Sequence, residues 1–391
     1  MPTDFFSPAD QAFIQQHLAT DPAQLLLKYG RDKQPLIAQI EARQKAKHKL
    51  PSWVAQPNVV FPVGLSVEQS SSEATAHYKA NLLLGKLLID LTGGMGVDTS
   101  FFAKRFERVI YVEQNEQLVA QARHNFAVLG LENITCVGGN SIDFLRQFSQ
   151  KADCIYADPA RRASQESNAR RVHALADCEP DVLKCLPLLL EKAERVLLKT
   201  SPLLDISHVL HELKTVEAVH VVALENEVKE LLFMVNQQPT ESVLVHAVNL
   251  PNQAFLHVFA EETALSVPLS DPLAYVYEPN AAILKAGAFK SVARQLSLYK
   301  IAPNSHLYTS QELVTPFPGR IFAFQAAVKA DSKVLLPFLP DGKANLTLRN
   351  FPGTTNELRK KLRLKDGGNV YLLATTLANG DKRILVCSKI R

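Results

Sequence analysis

Four residues suited to ligand recognition recur at one position of a repeating pattern. Asp90 closes the apolar run Leu87-Leu88-Ile89, and Glu113 closes Val109-Ile110-Tyr111-Val112. Asn140 follows Ile134 to Val137 and the pair Gly138-Gly139, and Asp158 follows Cys154-Ile155-Tyr156-Ala157 and precedes Pro159. Each apolar run has the length of a buried parallel strand. After Asp90 come Leu91-Thr92-Gly93-Gly94-Met95-Gly96-Val97-Asp98 and an expected helix from Thr99 to Lys104. Glycines let such a turn reach positive φ and let a ligand approach the backbone. The helix beyond presents unpaired N–H groups to a ligand's polar end. Glu113 stands 23 positions after Asp90. An acid ending the second strand, about 20 residues past such a loop, is placed to bond ribose hydroxyls. Helix capping or turn formation could also use Asp90 and Glu113. Four polar residues at four successive strand ends are more than turns require.

The elements that must position these residues alternate. A helix is expected from Glu116 to Leu129, with Leu118, Ala122, Phe126 and Leu129 at helical spacing, and others from Ile142 to Phe148 and from Asp181 to Leu190. Val196 to Lys199 is a further strand. Val219 to Leu224, a turn over Asn226 to Lys229, and Leu231 to Val235 form a hairpin. Strands and helices in alternation imply an open α/β sheet, in which ligands bind outside the carboxyl ends of the strands.

The order of acid, glycine loop, second acid, Gly-Gly-Asn and Asp-Pro, with a reversed strand closing the sheet, resembles a class I S-adenosylmethionine-dependent methyltransferase. A nicotinamide-dependent dehydrogenase fits less well, because Gly93-Gly94-Met95-Gly96 does not give G-x-G-x-x-G and Asp158-Pro159 has no counterpart there. The resemblance implies that Asp90 and the backbone of Thr92, Gly93, Gly94 and Gly96 hold the methionine part of the cofactor. It implies that Glu113 takes the ribose, and Asn140 with Ser141 the adenine. The family more often has Gly in place of Thr92 and Asp in place of Asn140. A Thr-x-Gly-x-Gly loop is found in some rRNA guanine-N2 methyltransferases.

Asp158 and Pro159 are the expected catalytic pair. Methyl transfer from a sulfonium is an in-line displacement, so orientation supplies much of the acceleration. A carboxylate oxygen and nearby backbone carbonyls can hold an exocyclic NH₂ and direct its lone pair at the methyl. Amino-methyltransferases usually have Pro and an aromatic after the first Pro, where this chain has Ala160 and Arg161. Asp-Pro-x-Arg resembles the uridine-C5 RNA methyltransferases, but their cysteine nucleophile is missing from Thr200-Ser201-Pro202. Cys154 lies inside a strand and reads as packing. The expectation is therefore methylation of a nitrogen of an RNA base, in rRNA or tRNA. Arg161 and Arg162, with Arg170 and Arg171, could meet phosphates or stack on flipped bases, or could be solvated surface. Lys199, at the next strand's end, joins them as a substrate-binding candidate.

The 391 residues allow two or three domains. A hydrophobic share of 47% and a charged share of 21% suit a globular protein in water. No apolar run approaches the ~18 residues of a membrane span, and five cysteines without paired spacing favour neither disulfides nor a metal site. The cytoplasm is the expected compartment, with no membrane partner and no metal. Net charge is +4, yet residues 343–391 hold eleven Lys or Arg against three acids, or +8, leaving −4 for the rest. That asymmetry suggests an anionic partner such as RNA.

Residues 1–80 are expected to be a helical region with caps at Ser7 and Asp21, a basic run Arg43 to Lys49, an irregular linker over 51–66, and a lid using Gln69, Ser70 and Lys79. Residues 81–240 would be the methyltransferase domain. In the remainder, Ala281 to Leu298 reads as one helix, Ser305 to Ser310 as a strand, and Leu358 to Leu364 as a basic helix behind the capping box Thr354-x-x-Glu357. Tyr277-Glu278-Pro279-Asn280, Lys285 to Phe289, Asn350-Phe351-Pro352 and Leu358 to Leu362 are similar to bacterial methyltransferases with ferredoxin-like and THUMP-like domains. That resemblance implies a ferredoxin-like segment over 241–320 and a THUMP-like domain over 321–391. The fold class is thus α/β, a Rossmann-like class I methyltransferase core with an N-terminal helical region and small α+β C-terminal domains. A protein or small-molecule substrate, and a cofactor-binding RNA-associated protein without catalysis, stay open at this point.

Overall fold

The computed structural model describes residues 5–62, 67–161, 175–238, 240 and 242–390. It divides into two units, Met1–Glu217 with Glu230–Thr240, and Ala218–Lys229 with Glu241–Arg391.

In the first unit the sheet strands are β1 (Gly85–Asp90), β2 (Phe106–Glu113), β3 (Ile134–Gly138), β4 (Ala152–Ala157) and β7 (Ala193–Thr200). Two-residue strands β5 (Ala160–Arg161) and β6 (Cys178–Glu179) pair with each other beyond β4. β8 (Val216–Leu224) begins at the end of this unit, and β9 (Glu227–Asn236) returns to it. β3, β2, β1, β4 and β7 lie side by side in that order, all parallel, and β9 runs antiparallel along β7. β9 is the expected reversed strand. The order reverses at β1, so a crevice opens outside the carboxyl ends of β1 and β4. The strand centres are fully buried, with Leu88, Ile89, Val109, Ile155, Val196 and Leu197 among the core residues. This accounts for their continuous apolar runs.

The N-terminal region packs more tightly than its sequence suggests. Helices α1 (Pro8–Gln16), α2 (Pro22–Tyr29) and α3 (Gln34–Ala46) bury Ile14, Leu25, Leu36, Ile37 and Ile40 together. The Ser7 and Asp21 caps form as expected. The expected linker opens with a short helix, α4 (Pro51–Val54), and its irregular remainder is packed, with Trp53, Val59, Val60 and Phe61 all buried. Arg43, the first residue of the basic run, is 2% exposed. Its guanidinium donates to the carbonyls of Val54, Gln56, Pro57 and Val59. Burial lowers its pKa to about 10. The amide side chains of Gln39 and Asn125 pair reciprocally with the backbones of Phe61 and Val60. Side-chain amides thus replace the strand partners this stretch lacks.

Three elements meet at Lys79. This residue of α5 (Glu73–Asn81) is fully buried, and its ammonium donates to both Glu230 oxygens of β9 at 2.8 and 2.7 Å. It also donates to Ser71 Oγ at 3.0 Å and lies 3.3 Å from Asp98 of α6 (Val97–Phe102). The helices α7 (Glu116–Val128), α8 (Ser141–Gln147), α9 (Val182–Lys192) and α10 (Ile206–Glu212) complete the unit.

In the second unit, β8 pairs in parallel with β10 (Leu244–Leu250), which forms a hairpin with β11 (Gln253–Val258). A separate seven-stranded sheet follows. Its order is β13 (Tyr299–Lys300), β14 (Tyr308–Ser310), β12 (Tyr275–Pro279), β15 (Gly319–Val328), β18 (Lys382–Lys389), β17 (Val370–Thr376), β16 (Asn345–Arg349). The helix expected over Ala281 to Leu298 is two, α12 (Ala281–Ala286) and α13 (Phe289–Gln295). Gly287 at φ +71 caps the first in the left-handed region and ends it. The short α11 (Glu261–Ala264) and α14 (Ser332–Leu335) precede α15 (Thr355–Leu362) in the chain's element series. α15 has the Thr354–Glu357 capping box. Its Lys360 and Lys361 are exposed, whereas Arg359 is tied to Asp366 at 2.7 Å.

Removing the Lys79 ammonium leaves Glu230 as a buried charge without its partner. Lys79→Met should lower unfolding free energy by about 3–5 kcal/mol in urea titrations, and the double variant Lys79→Met/Glu230→Met should regain most of that loss. A double variant no more stable than the single one would mean that the pair does not hold these elements.

Candidate active site

The Thr92–Gly96 turn is shaped from below and from both sides. Tyr111 of β2 lies under it and donates its hydroxyl to Gly94 O at 2.6 Å. A Cβ on Gly93 would sit 2.2 Å from the Tyr111 ring, and one on Gly96, at φ +85, 2.6 Å from Phe126. Only glycine lets the turn settle so closely on this aromatic pair. Asp90, 1% exposed, accepts the Thr92 N–H at 3.0 Å and the Thr99 hydroxyl at 2.6 Å. Its carboxylate therefore fastens the loop to the first turn of α6. Burial lifts its pKa to about 7; the bonds from Thr99 and Thr92 oppose the rise, and Asp98 and Asp158 add to it. Glu113 accepts the N–H of Gly94 at 2.9 Å and that of Asn115 at 2.9 Å. Thr92 Oγ1 accepts the Asp158 N–H at 2.7 Å. The residue that replaces the family's usual glycine thus joins the loop after β1 to the turn after β4.

Asp158 and Lys199 form an ion pair between the ends of β4 and β7, through Asp158 Oδ2. The Asp158 side chain is 38% exposed and the Lys199 side chain 13%. Burial alone would lower the Lys199 pKa, but Asp158, Asp98 and Glu230 overcome it and raise it. Asp98 accepts from Ser71 at 2.8 Å and from the Tyr156 hydroxyl at 2.7 Å. Burial opposes its charge, yet Lys79 and Lys199 hold its carboxyl below the usual aspartate range. Burial pushes Glu230 upward against the pull of the same two lysines.

Asp158, Lys199, Asp98, Ser71 and Tyr156 line a cleft of about 730 Å³. Asp90, Thr92, Gly93, Gly94, Gly96, Glu113, Asn140, Ser141, Asp158, Pro159 and Lys199 all border it. Asn140 and Ser141 start α8, where the Asn140 side chain caps Ile142 and Asp143. Gln69 and Ser70 also border the cleft. Lys79, grouped with them as a lid residue, is fully buried instead. Arg162, Arg170 and Arg171 lie outside the described residues, as does the side chain of Arg161. Sequence reasoning missed Asp98, Tyr156 and Ser71 as cleft-lining residues, and Tyr111 and Glu230 as supports. A second acid just past the last glycine was the available signal for Asp98. Among the described residues, no group of three or more His, Cys, Asp or Glu could hold a metal ion, and no helix is long and apolar enough to cross a membrane.

S-adenosylmethionine fits this cleft on two counts. The volume is within the range of small-molecule sites. A Cβ on Gly94 would have no neighbour closer than 3.7 Å, and one on Gly139 would meet nothing within 4 Å. The wall beside Glu113 and Asn140 is therefore open to a ligand. A parallel sheet with a reversed strand, a glycine turn over its first strand and an Asp-Pro turn at its fourth define a class I methyltransferase.

Comparison with known proteins agrees. Residues 85–238 match the RNA cap guanine-N2 methyltransferase family model, 275–318 a ferredoxin-like domain model and 319–389 a THUMP domain-like model. The chain is 36% identical to a candidate methyltransferase from Porphyromonas gingivalis W83 with a known crystal structure. That match covers 98% of both chains, with a TM-score of 0.88. It is 24% identical over 361 residues to an uncharacterised S-adenosylmethionine-dependent methyltransferase of Mycobacterium tuberculosis H37Rv, covering 89% of this chain and 94% of that protein. An uncharacterised RNA methyltransferase of Thermotoga maritima is 30% identical over 126 residues, 31% of this chain and 28% of that protein. The chain belongs to the class I S-adenosylmethionine-dependent methyltransferases, in the family that carries ferredoxin-like and THUMP-like domains after the catalytic one.

The raised Asp90 pKa has a measurable consequence. The folded state holds this proton more tightly than the unfolded chain, where an aspartate titrates near ~3.9. The stability so contributed is complete below about pH 4 and is lost as pH rises through about 7. Between about pH 5 and about pH 8 the wild-type protein should therefore lose more unfolding free energy than Asp90→Asn. Equal pH slopes in parallel urea titrations would show that folding does not shift Asp90.

Proposed function

We propose that this enzyme methylates a nitrogen of an RNA base. The observation that carries the proposal is the state of Asp158. One carboxylate oxygen is bonded to Lys199, the backbone N–H is bonded to Thr92, and the second oxygen has no partner among the described residues. A fixed, cleft-facing acceptor of this kind suits an exocyclic amino group better than a carbon acceptor, which would need a nucleophile or base to activate the ring.

S-adenosylmethionine supplies an electrophilic methyl group. The chain's own residues do the rest. Glu113 and Asn140, which line the cleft, would hold the ribose and adenine, and the Thr92–Gly96 backbone the methionine end. The second Asp158 oxygen accepts from the incoming amino group and turns its lone pair towards the methyl. The same carboxylate can take the proton that the nitrogen sheds. Pro159 shapes the wall beside it. Thr200 follows Lys199 where a C5 enzyme would need a thiol, and the described cysteines are elsewhere. Cys154 is buried inside β4, and burial pushes its thiol up to about 12. RNA as the substrate is supported by the RNA cap guanine-N2 family match, the Thermotoga relative's name and the exposed lysines of α15 within the THUMP-like region.

Asp158→Ala should lower turnover on RNA by about 10²-fold or more, as expected for loss of an orienting acceptor. Affinity for S-adenosylhomocysteine, measured by calorimetry, should change by less than about threefold. Equal losses in both would make Asp158 a cofactor-site residue.

A further inference from the structure

We propose that Lys199 is a positioning residue that acts through Asp158, and not a contact to the substrate's phosphates. This rests on the reading of Asp158 as the group that orients the acceptor nitrogen.

The geometry of the pair and the charges around it support this. Both residues border the cleft, but the Asp158 side chain is the more exposed of the two and the Lys199 side chain the more buried, with its ammonium spent on an Asp158 oxygen. Asp158, Asp98 and Glu230 all act on Lys199, and Lys79 is the other buried cation in that cluster. Among the described residues, three carboxylates against two ammonium groups leave no surplus positive charge for a phosphate. An anion brought to Lys199 would meet three like charges at a poorly hydrated place, where they are weakly screened. If Lys199 turned outward to a phosphate, Asp158 and Asp98 would lose a cation, and buried charge without a partner is costly.

The consequence for Asp158 is geometric. The Thr92 hydroxyl fixes its backbone and the Lys199 ammonium fixes one carboxylate oxygen. The remaining oxygen then has one direction in which to accept. Lys79, through Glu230 and Asp98, holds the acids that keep Lys199 in place. Lys199 contributes no proton: its pKa is raised, so it stays an ammonium throughout the working range.

A double-mutant cycle tests this. Lys199→Met, Lys199→Arg, Asp158→Ala and the Lys199→Met/Asp158→Ala pair are assayed with methyl-labelled S-adenosylmethionine. The acceptor is total RNA from cells lacking the protein, or the protein fraction if the label enters protein instead. Calorimetry with S-adenosylhomocysteine checks the fold and cofactor site of each variant, and Lys199→Gln replaces Lys199→Met if the latter fails to fold. Lys199→Met should lower kcat by about 10²-fold, with KM for the acceptor and the S-adenosylhomocysteine Kd within about threefold of wild type. Lys199→Arg should recover at least about tenfold of that loss. In the Asp158→Ala background, Lys199→Met should cause no further loss. The same fold-loss in both backgrounds, or a raised acceptor KM with unchanged kcat, would overturn the proposal. Wild-type turnover in Asp158→Ala would remove the reading of Asp158 itself, and this inference with it. Label entering protein would refute RNA as substrate and leave the cycle readable.

Discussion

A buried ammonium must be matched by charge and hydrogen bonds on every side, and in this protein that constraint falls on Lys79. Its partners come from the segment before α5, from the helix after the glycine turn and from the reversed last strand. Without those bonds the cost of removing the charge from water would exceed anything its packing returns. Because the group is saturated only when all three elements are in register, it selects one arrangement of α5, α6 and β9. That arrangement puts Asp98 at the cleft wall and Glu230 behind it. The place of Asp98 in the lining of the methyltransferase cleft is thus tied to how one lysine is buried.

A second chain of bonds runs across the top of the sheet. Asp90 accepts from Thr92, and Thr92 accepts from Asp158. The loop expected to hold the cofactor and the turn expected to meet the acceptor are therefore not independent. A glycine in place of Thr92 would leave the Asp158 N–H without this acceptor. In-line transfer depends on the alignment of two bound molecules, so a direct tie between their two supports is chemically useful.

The strand-end residues were legible because they follow from local pattern alone. An apolar run fixes a strand, its end fixes a position, and the parallel order brings those positions to one rim. Thr92 to Gly96, Glu113, Asn140 and Asp158 are all found there. Long-range pairing was not legible. Lys79 and Glu230 are 151 positions apart, and a lysine in a polar helical segment reads as surface until its partner is known. Arg43 misleads for the same reason: its partners are backbone carbonyls, which leave no trace in composition. The prolines of 51–62 signal irregular backbone correctly, but say nothing of the side chains of Gln39 and Asn125 that pair with it. Gly287 inside an apolar helical pattern was the one local sign that Ala281 to Gln295 is two helices.

The central claim is that the Asp158 site methylates a nitrogen of an RNA base. Nucleoside mass spectrometry of total RNA from cells with the protein, without it, and with Asp158→Ala in its place tests that claim most directly. One nitrogen-methylated base should be present with the wild-type protein and absent in the other two. Identical nucleoside profiles in all three, with purified enzyme passing its label to protein or to a small molecule, would contradict it.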